Sequence, residues 1–171
     1  MDHNVNEQTG EISRQPWIRR HPLFSAFTFL LIGLVVATML YINLRPYFST
    51  FDRSRQGDLV YSMPSPSGEL VAEMYGVPYG GAPGGVTQWV DVKRLGSDDV
   101  WTIKTIYRAE YQGNNHLQWE NEHTLRIENW SEYRDDSVTL NIEEDIYDGW
   151  GFACKSLRMK DEYVRCYGPN E

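Results

Sequence analysis

Cysteine and histidine are scarce in this chain: Cys154 and Cys166 are the only two Cys, and there are four His among 171 residues. Structural zinc usually takes four ligands of these types. No His lies near either Cys in sequence, so no metal is expected. Basic residues are also in deficit, with 16 Lys and Arg against 24 Asp and Glu, a net charge of −8. A surface that follows phosphates needs the opposite sign, which argues against nucleic acid as a partner. Neither a Gly-x-Ser-x-Gly elbow nor a Gly-Lys-Ser/Thr phosphate loop occurs. Nothing therefore marks a nucleophile, a nucleotide or another cofactor, and no catalytic, cofactor-binding or metal residue is assigned. The length leaves room for one folded domain.

Charge is absent altogether from Pro22 to Leu44, a stretch made mostly of Leu, Phe, Val, Ala and Ile. At about 1.5 Å per residue, Leu23–Leu44 as a helix extends roughly 33 Å, enough to cross a hydrocarbon core of about 30 Å. The pattern predicts a transmembrane helix over 22–44, in contact with the lipid bilayer. Its polar members, Ser25, Thr28, Thr38, Tyr41 and Asn43, suit bonds back to the helix backbone. Trp17 on one side, and Tyr41 and Tyr47 on the other, suit the two headgroup regions. A cleaved signal peptide ending at Val35-Val36-Ala37 is the competing reading, but the apolar run continues to Leu44.

The flanking arginines tie in number, Arg14, Arg19 and Arg20 before the span against Arg45, Arg53 and Arg55 after it. The adjacent pair Arg19-Arg20 tips the balance toward a cytoplasmic N-terminus. Both Cys lie in the C-terminal part, where an oxidising compartment would crosslink them. The expected topology is single-pass, with the C-terminal domain extracytoplasmic. The first 44 residues are neutral overall, so the whole −8 belongs to residues 45–171.

Residues 1–21 read as a polar, flexible tail. Residues 45–58 read as a juxtamembrane stalk. Residues 59–168 alternate as strands do, as in Val86, Gln88, Val90 and Val92 against Thr87, Trp89, Asp91 and Lys93. Turn signals punctuate them at Pro64 to Gly68, Gly96 to Asp99, Gly113 to Asn115, Arg134 to Asp136 and Asp148-Gly149. The expectation is mainly β: a small antiparallel sandwich or meander with strands at 59–63, 69–76, 86–95, 99–107, 116–120, 124–128, 137–143, 151–158 and 162–167. Strands 86–95 and 99–107 form its central hairpin.

Cys154 and Cys166 flank an expected hairpin turn near Met159 to Asp161, which would set them face to face for a disulfide. Two buried free thiols are the alternative. His116, Glu120, Glu122 and His123 use the residue types of zinc sites and acid–base catalysis, but read more simply as a solvated hairpin. The acidic run Glu143, Glu144, Asp145 and Asp148 lacks the calcium-loop pattern and reads as a solvated loop. The stretch Tyr75 to Gly85 is rich in Gly and Pro. It reads either as a mobile connection or as a partner-contact loop carrying Tyr75, Tyr79, Gly80 and Gly81.

The run Ser65-Pro66-Ser67-Gly68-Glu69-Leu70-Val71-Ala72-Glu73-Met74-Tyr75, followed by Gly80-Gly81 and Trp89-Val90-Asp91-Val92, resembles a family of small single-span bacterial membrane proteins with a C-terminal β domain. These are typical of Gram-positive bacilli, and the resemblance covers residues 60–130. It implies a bacterial cell-envelope setting and carries no assigned activity. A propeller is excluded because four blades of about 40–45 residues exceed the domain. The function expected is a binding or interaction module in contact with an envelope or membrane protein. The alternatives are a subunit of a membrane complex contacting partners through its helix, and an envelope hydrolase using Glu120 with Glu122 or Asp145 with Asp148.

Overall fold

A computed structural model of the protein describes residues 22–51, 57–81, 84–95 and 104–169. Four expectations lie partly or wholly outside the described residues. They are the tail 1–21 with Trp17 and its arginines, connector residues 52–56 with Arg53 and Arg55, residues 82–83 of the glycine-rich stretch, and residues 96–103. The last take in the Gly96 to Asp99 turn and the first part of the strand expected over 99–107. The chain divides into two compact units, Met1–Asn43 and Leu44–Glu171.

The first unit holds helix α1 (Pro22–Leu44). Among the described residues it is the one helix long and apolar enough to cross a membrane. Three of its polar side chains bond back to the helix backbone: Thr28 Oγ1 donates to Phe24 O at 2.9 Å, Thr38 Oγ1 to Leu34 O at 2.8 Å, and Asn43 Nδ2 to Met39 O at 2.7 Å. In hydrocarbon these bonds remove the cost of bare polar groups.

The second unit is the β domain. Its strands are β1 (Asp58–Pro64), β2 (Leu70–Tyr79), β3 (Gly85–Arg94), β4 (Lys104–Glu110), β5 (Asn114–Asn121), β6 (Thr124–Trp130), β7 (Val138–Asn141), β8 (Asp145–Asp148) and β9 (Arg165–Tyr167). A six-stranded sheet runs β1-β2-β3-β4-β8-β9 and a three-stranded sheet runs β5-β6-β7. The hairpins β1–β2, β2–β3 and β3–β4 are antiparallel, including the expected central one. Alternation then sorts the side chains. Ala72, Met74, Val90, Val92, Tyr107 and Ala109 face Leu117, Leu125, Ile127 and Leu140 of the other sheet and form the main core. Each such buried aliphatic contributes about 1.5–3 kcal/mol.

The C-terminal third differs from the expected meander. Residues 151–158 are not a strand: Phe152–Lys155 form a short helix, α2. Of the acidic run, Glu143 and Glu144 are exposed in a turn as expected, but Asp145 and Asp148 lie in strand β8, all four residues of which are buried. β8 pairs in parallel with β4 and with β9, so the sheet is mixed. The turn into α2 passes through Gly151 at φ 67°, a left-handed conformation that favours glycine. Cys154 and Cys166 do form a disulfide, with Cα atoms 5.2 Å apart, but it ties α2 to β9 rather than closing a hairpin.

The first half of the segment expected as a stalk is built into the domain. Arg45–Phe48 form a 3-10 helix. Leu157 N donates to Tyr47 O at 2.9 Å, and Ser156 Oγ donates to Ser49 O. Phe51 is buried with Ile146, Ala153 and Met159 in a second, smaller core, its ring edge-on to Trp89. Of the three large rings in this segment, Phe51 is the one buried, while Tyr47 and Phe48 stay exposed; burying a Phe is worth about as much as burying a Leu, enough to pin the segment.

Candidate functional site

β2, β4, β6 and β8 all finish at one end of the sandwich, where β3, β5 and β7 begin. The loops of that end carry an unusual density of exposed rings. Tyr79 closes β2 opposite Gly85, so Tyr75 to Tyr79 of the glycine-rich stretch belong to β2 and Gly85 to β3. Gly80 takes φ 78°, and a Cβ on Gly84 would lie 2.3 Å from Tyr79 O, so glycine is required at this turn. Tyr79 Oη donates to Glu110 Oε1 at 2.5 Å, and that carboxylate raises the phenol's pKa.

Tyr111 follows β4, its backbone N bonded to Val86 O at 2.8 Å and its hydroxyl to Gly113 O at 2.5 Å. Trp130 ends β6 opposite Asn114 and is 44% exposed. Ser131 Oγ accepts from Tyr133 N and from Arg134 N, each at 3.2 Å, forming a tight turn that leaves Tyr133 94% exposed. Arg134 reaches across to Gly149 O at 2.9 Å, beside the exposed Trp150. Among the described residues, the exposed large apolar side chains of these loops are all aromatic.

A buried polar network holds the loops from beneath. Asn129 Nδ2 donates to Tyr107 Oη and to Glu110 O, both at 2.8 Å, and Asn129 Oδ1 accepts from Gln112 N at 2.9 Å. Tyr107 Oη donates to Asp136 O at 3.0 Å, and Tyr147 Oη donates to Asp136 Oδ1 at 2.6 Å. Arg134 Nε lies 2.8 Å from Asp136 Oδ2. The Tyr107 and Tyr147 rings stack at 5.1 Å. Burial drives both phenol pKa values upward, and at Tyr147 the hydrogen bond to Asp136 adds to it. Fully satisfied networks of this kind fix one geometry.

The structure separates the residues expected in a contact loop. Tyr79, Gly80 and Gly81 lie at this end. Tyr75 does not: it sits within β2, its hydroxyl bonded to Glu73 and its ring 5.3 Å from Lys93 Nζ. Trp130, Tyr133 and Arg134 belong to the site, and sequence reasoning missed them as site residues.

Of the other sequence candidates, Glu122, Asp145 and Asp148 hold the fold together, while His116, Glu120 and His123 are exposed. Glu122 accepts from Ser65 Oγ at 2.7 Å, Ser67 Oγ at 2.6 Å and Ser67 N at 3.0 Å, so it locks the Ser-Pro-Ser-Gly turn. Those hydroxyl donors hold its carboxyl below the ordinary carboxylate value. His123 Nδ1 lies 3.6 Å from Glu143. Asp145 pairs with Arg165 Nε at 2.8 Å, and Asp148 pairs with Arg108. Among the described residues no three His, Cys, Asp or Glu converge as metal ligands. Compared with known proteins, the chain matches no family model, no curated protein and no solved structure.

Proposed function

We propose that the chain is a single-span membrane protein of a bacterial cell envelope whose β domain stands on the extracytoplasmic side and binds an envelope component through its aromatic end. The observation that carries this reading is Tyr133 and Trp130, exposed on loops that a buried network has already fixed. Rigid aromatic side chains bind at low conformational cost, and aromatic residues are enriched where proteins recognise partners.

The membrane setting is supported by α1, and the extracytoplasmic side by the Cys154–Cys166 bond, since disulfides persist in oxidising compartments. The sequence resemblance to single-span proteins of bacilli supports the bacterial envelope. The net −8 of residues 45–171 suits a domain held away from anionic lipid.

The test is the size of the native assembly. The protein is extracted from its own membrane in a mild detergent and resolved on a native gel. Replacing Trp130 and Tyr133 together by Ala is expected to return a larger species to the size of the free chain. Leu95→Ser, just past the end of β3 and so at the opposite end of the sandwich, is expected to leave it unchanged. If the ring variant keeps the larger size and only an exchanged span loses it, the contact lies in the helix and the proposal fails.

A further inference from the structure

We infer that the β domain binds anionic phospholipid headgroups through Arg45 and the cations of residues 155–160; the inference rests on the reading that α1 spans a bilayer. Most basic side chains of the domain already have a partner. Lys93, Arg108, Arg126, Arg134 and Arg165 are ion-paired, and Lys104 donates to Glu143 O. Among the described residues, the Lys and Arg left without such a bond are Arg45, Arg94, Lys155, Arg158 and Lys160, all exposed. Arg94 stands alone at the end of β3. The other four fall in two segments that are distant in sequence and bonded to each other, Leu157 N to Tyr47 O at 2.9 Å and Ser156 Oγ to Ser49 O.

Chain connectivity says what these cations meet. Arg45 directly follows the last residue of α1 and opens the 3-10 helix Arg45–Phe48. Four residues of 3-10 helix rise about 8 Å, and the headgroup layer is about 5–7 Å deep on each side of the hydrocarbon. The 3-10 helix therefore crosses that layer, and the residues bonded to Tyr47 and Ser49 are held at its surface. The side chains suit the place: Tyr47, Phe48 and Leu157 are exposed apolar groups among the cations. Aromatic rings favour the headgroup level, and long cations lay their stems on apolar surface while the charge reaches phosphate. Residues 155–160 contain no carboxylate; Asp161 and Glu162 follow, so with Arg45 this face keeps a net positive charge in a domain of net −8. The acidic remainder is repelled by the same lipid, which confines the attraction to this face. A soluble polyanion has the matching charge too, but the bilayer is already in place beside Arg45.

The experiment measures amide hydrogen exchange of the full-length protein in vesicles of phosphatidylcholine, with and without phosphatidylglycerol. Exchange of residues 155–160 is expected to slow when phosphatidylglycerol is present and to recover at high salt, which screens the attraction. Each cation near an anionic surface favours the docked state about fivefold. Lys155→Gln with Arg158→Gln and Lys160→Gln is therefore expected to weaken docking roughly a hundredfold and to abolish the response to phosphatidylglycerol. Arg94→Gln, which removes the unpaired cation outside this face, is expected to keep the response. An intact disulfide and unchanged exchange of β2, β3 and β4 establish that each variant is folded. Exchange at 155–160 that ignores phosphatidylglycerol overturns the inference, as does a full response in the triple variant or a lost one in Arg94→Gln. Carbonate washing of the same vesicles reads the span separately. Protein that survives the wash but shows no lipid response keeps its span and loses this lipid site. Protein that carbonate strips from the vesicles loses both readings.

Discussion

Arg108 and Asp148 lie opposite each other on the parallel pair β4 and β8 and bond through two atoms each, Nε to Oδ1 at 3.1 Å and Nη2 to Oδ2 at 2.7 Å. The carboxylate is fully buried, and it also accepts from Ala153 N at 2.6 Å and Trp150 N at 3.2 Å. The guanidinium lies within 4.9 Å of the Phe51 ring, 5.3 Å of Trp89 and 5.4 Å of Trp150. One ion pair therefore joins the sheet, the start of α2 and the segment carrying Phe51. Removing one partner of such a pair leaves the other charge buried alone. Asp148→Ala is expected to cost about 3–5 kcal/mol, read by urea unfolding of the full-length protein in detergent. A cost under about 1 kcal/mol, the worth of an exposed pair, contradicts this role.

The disulfide spans 12 positions. Closing so short a loop stabilises by about 3 kcal/mol on the chain-entropy view. The double variant Cys154→Ser with Cys166→Ser is expected to lose about that much. Intact mass after alkylation checks the bond itself: no thiol is expected to react before reduction, and both after it. Reaction of both without reductant contradicts the oxidised state.

Glu122 ties two turns together, and the serine donors hold its carboxyl below its ordinary 4.5. A carboxylate with a lowered folded-state pKa gives stability that is complete above the unfolded value and is lost as pH falls through the folded one. The stability gap between the protein and its Glu122→Gln variant is thus expected at pH 7 and to shrink below pH 4.5. A gap that stays constant through the acid range contradicts the assignment.

Tyr107 and Tyr147 behave in the opposite sense. Burial raises both phenols above their ordinary 10.0. Their contribution is present below pH 10 and is lost as pH rises toward the raised folded-state values. Spectrophotometric titration of the folded protein is expected to show these tyrosines ionising only together with alkaline unfolding. In Tyr107→Phe with Tyr147→Phe, that late ionisation is expected to disappear. Ionisation of all eleven tyrosines before unfolding contradicts this.

The helix was legible because 22 residues without charge have few other uses, and the first hairpins because alternation and turn residues coincide. Residues 145–158 were not. Asp145 and Asp148 look solvated until Arg165 and Arg108 are placed beside them, 20 and 40 positions away. Phe51 looked like part of a stalk for the same reason, since the surface that buries it comes from Trp89, Ile146 and Met159. Of the residues at the aromatic end, the sequence singled out only Tyr79, Gly80 and Gly81. Tyr111, Trp130, Tyr133 and Trp150 sit in turns spread over forty residues, and only the strand order brings them to one place.

The most direct test of the account places a photoreactive benzophenone side chain at Tyr133 in one protein and at Glu120, beside the opposite turn of the β5–β6 hairpin, in another. Each is expressed in its own cell and irradiated in intact membranes. The account predicts a covalent adduct, seen as a mass shift, from position 133 and none from position 120. Adducts in equal yield from both, or from position 120 alone, would contradict the claim that the aromatic end is the working surface of this protein.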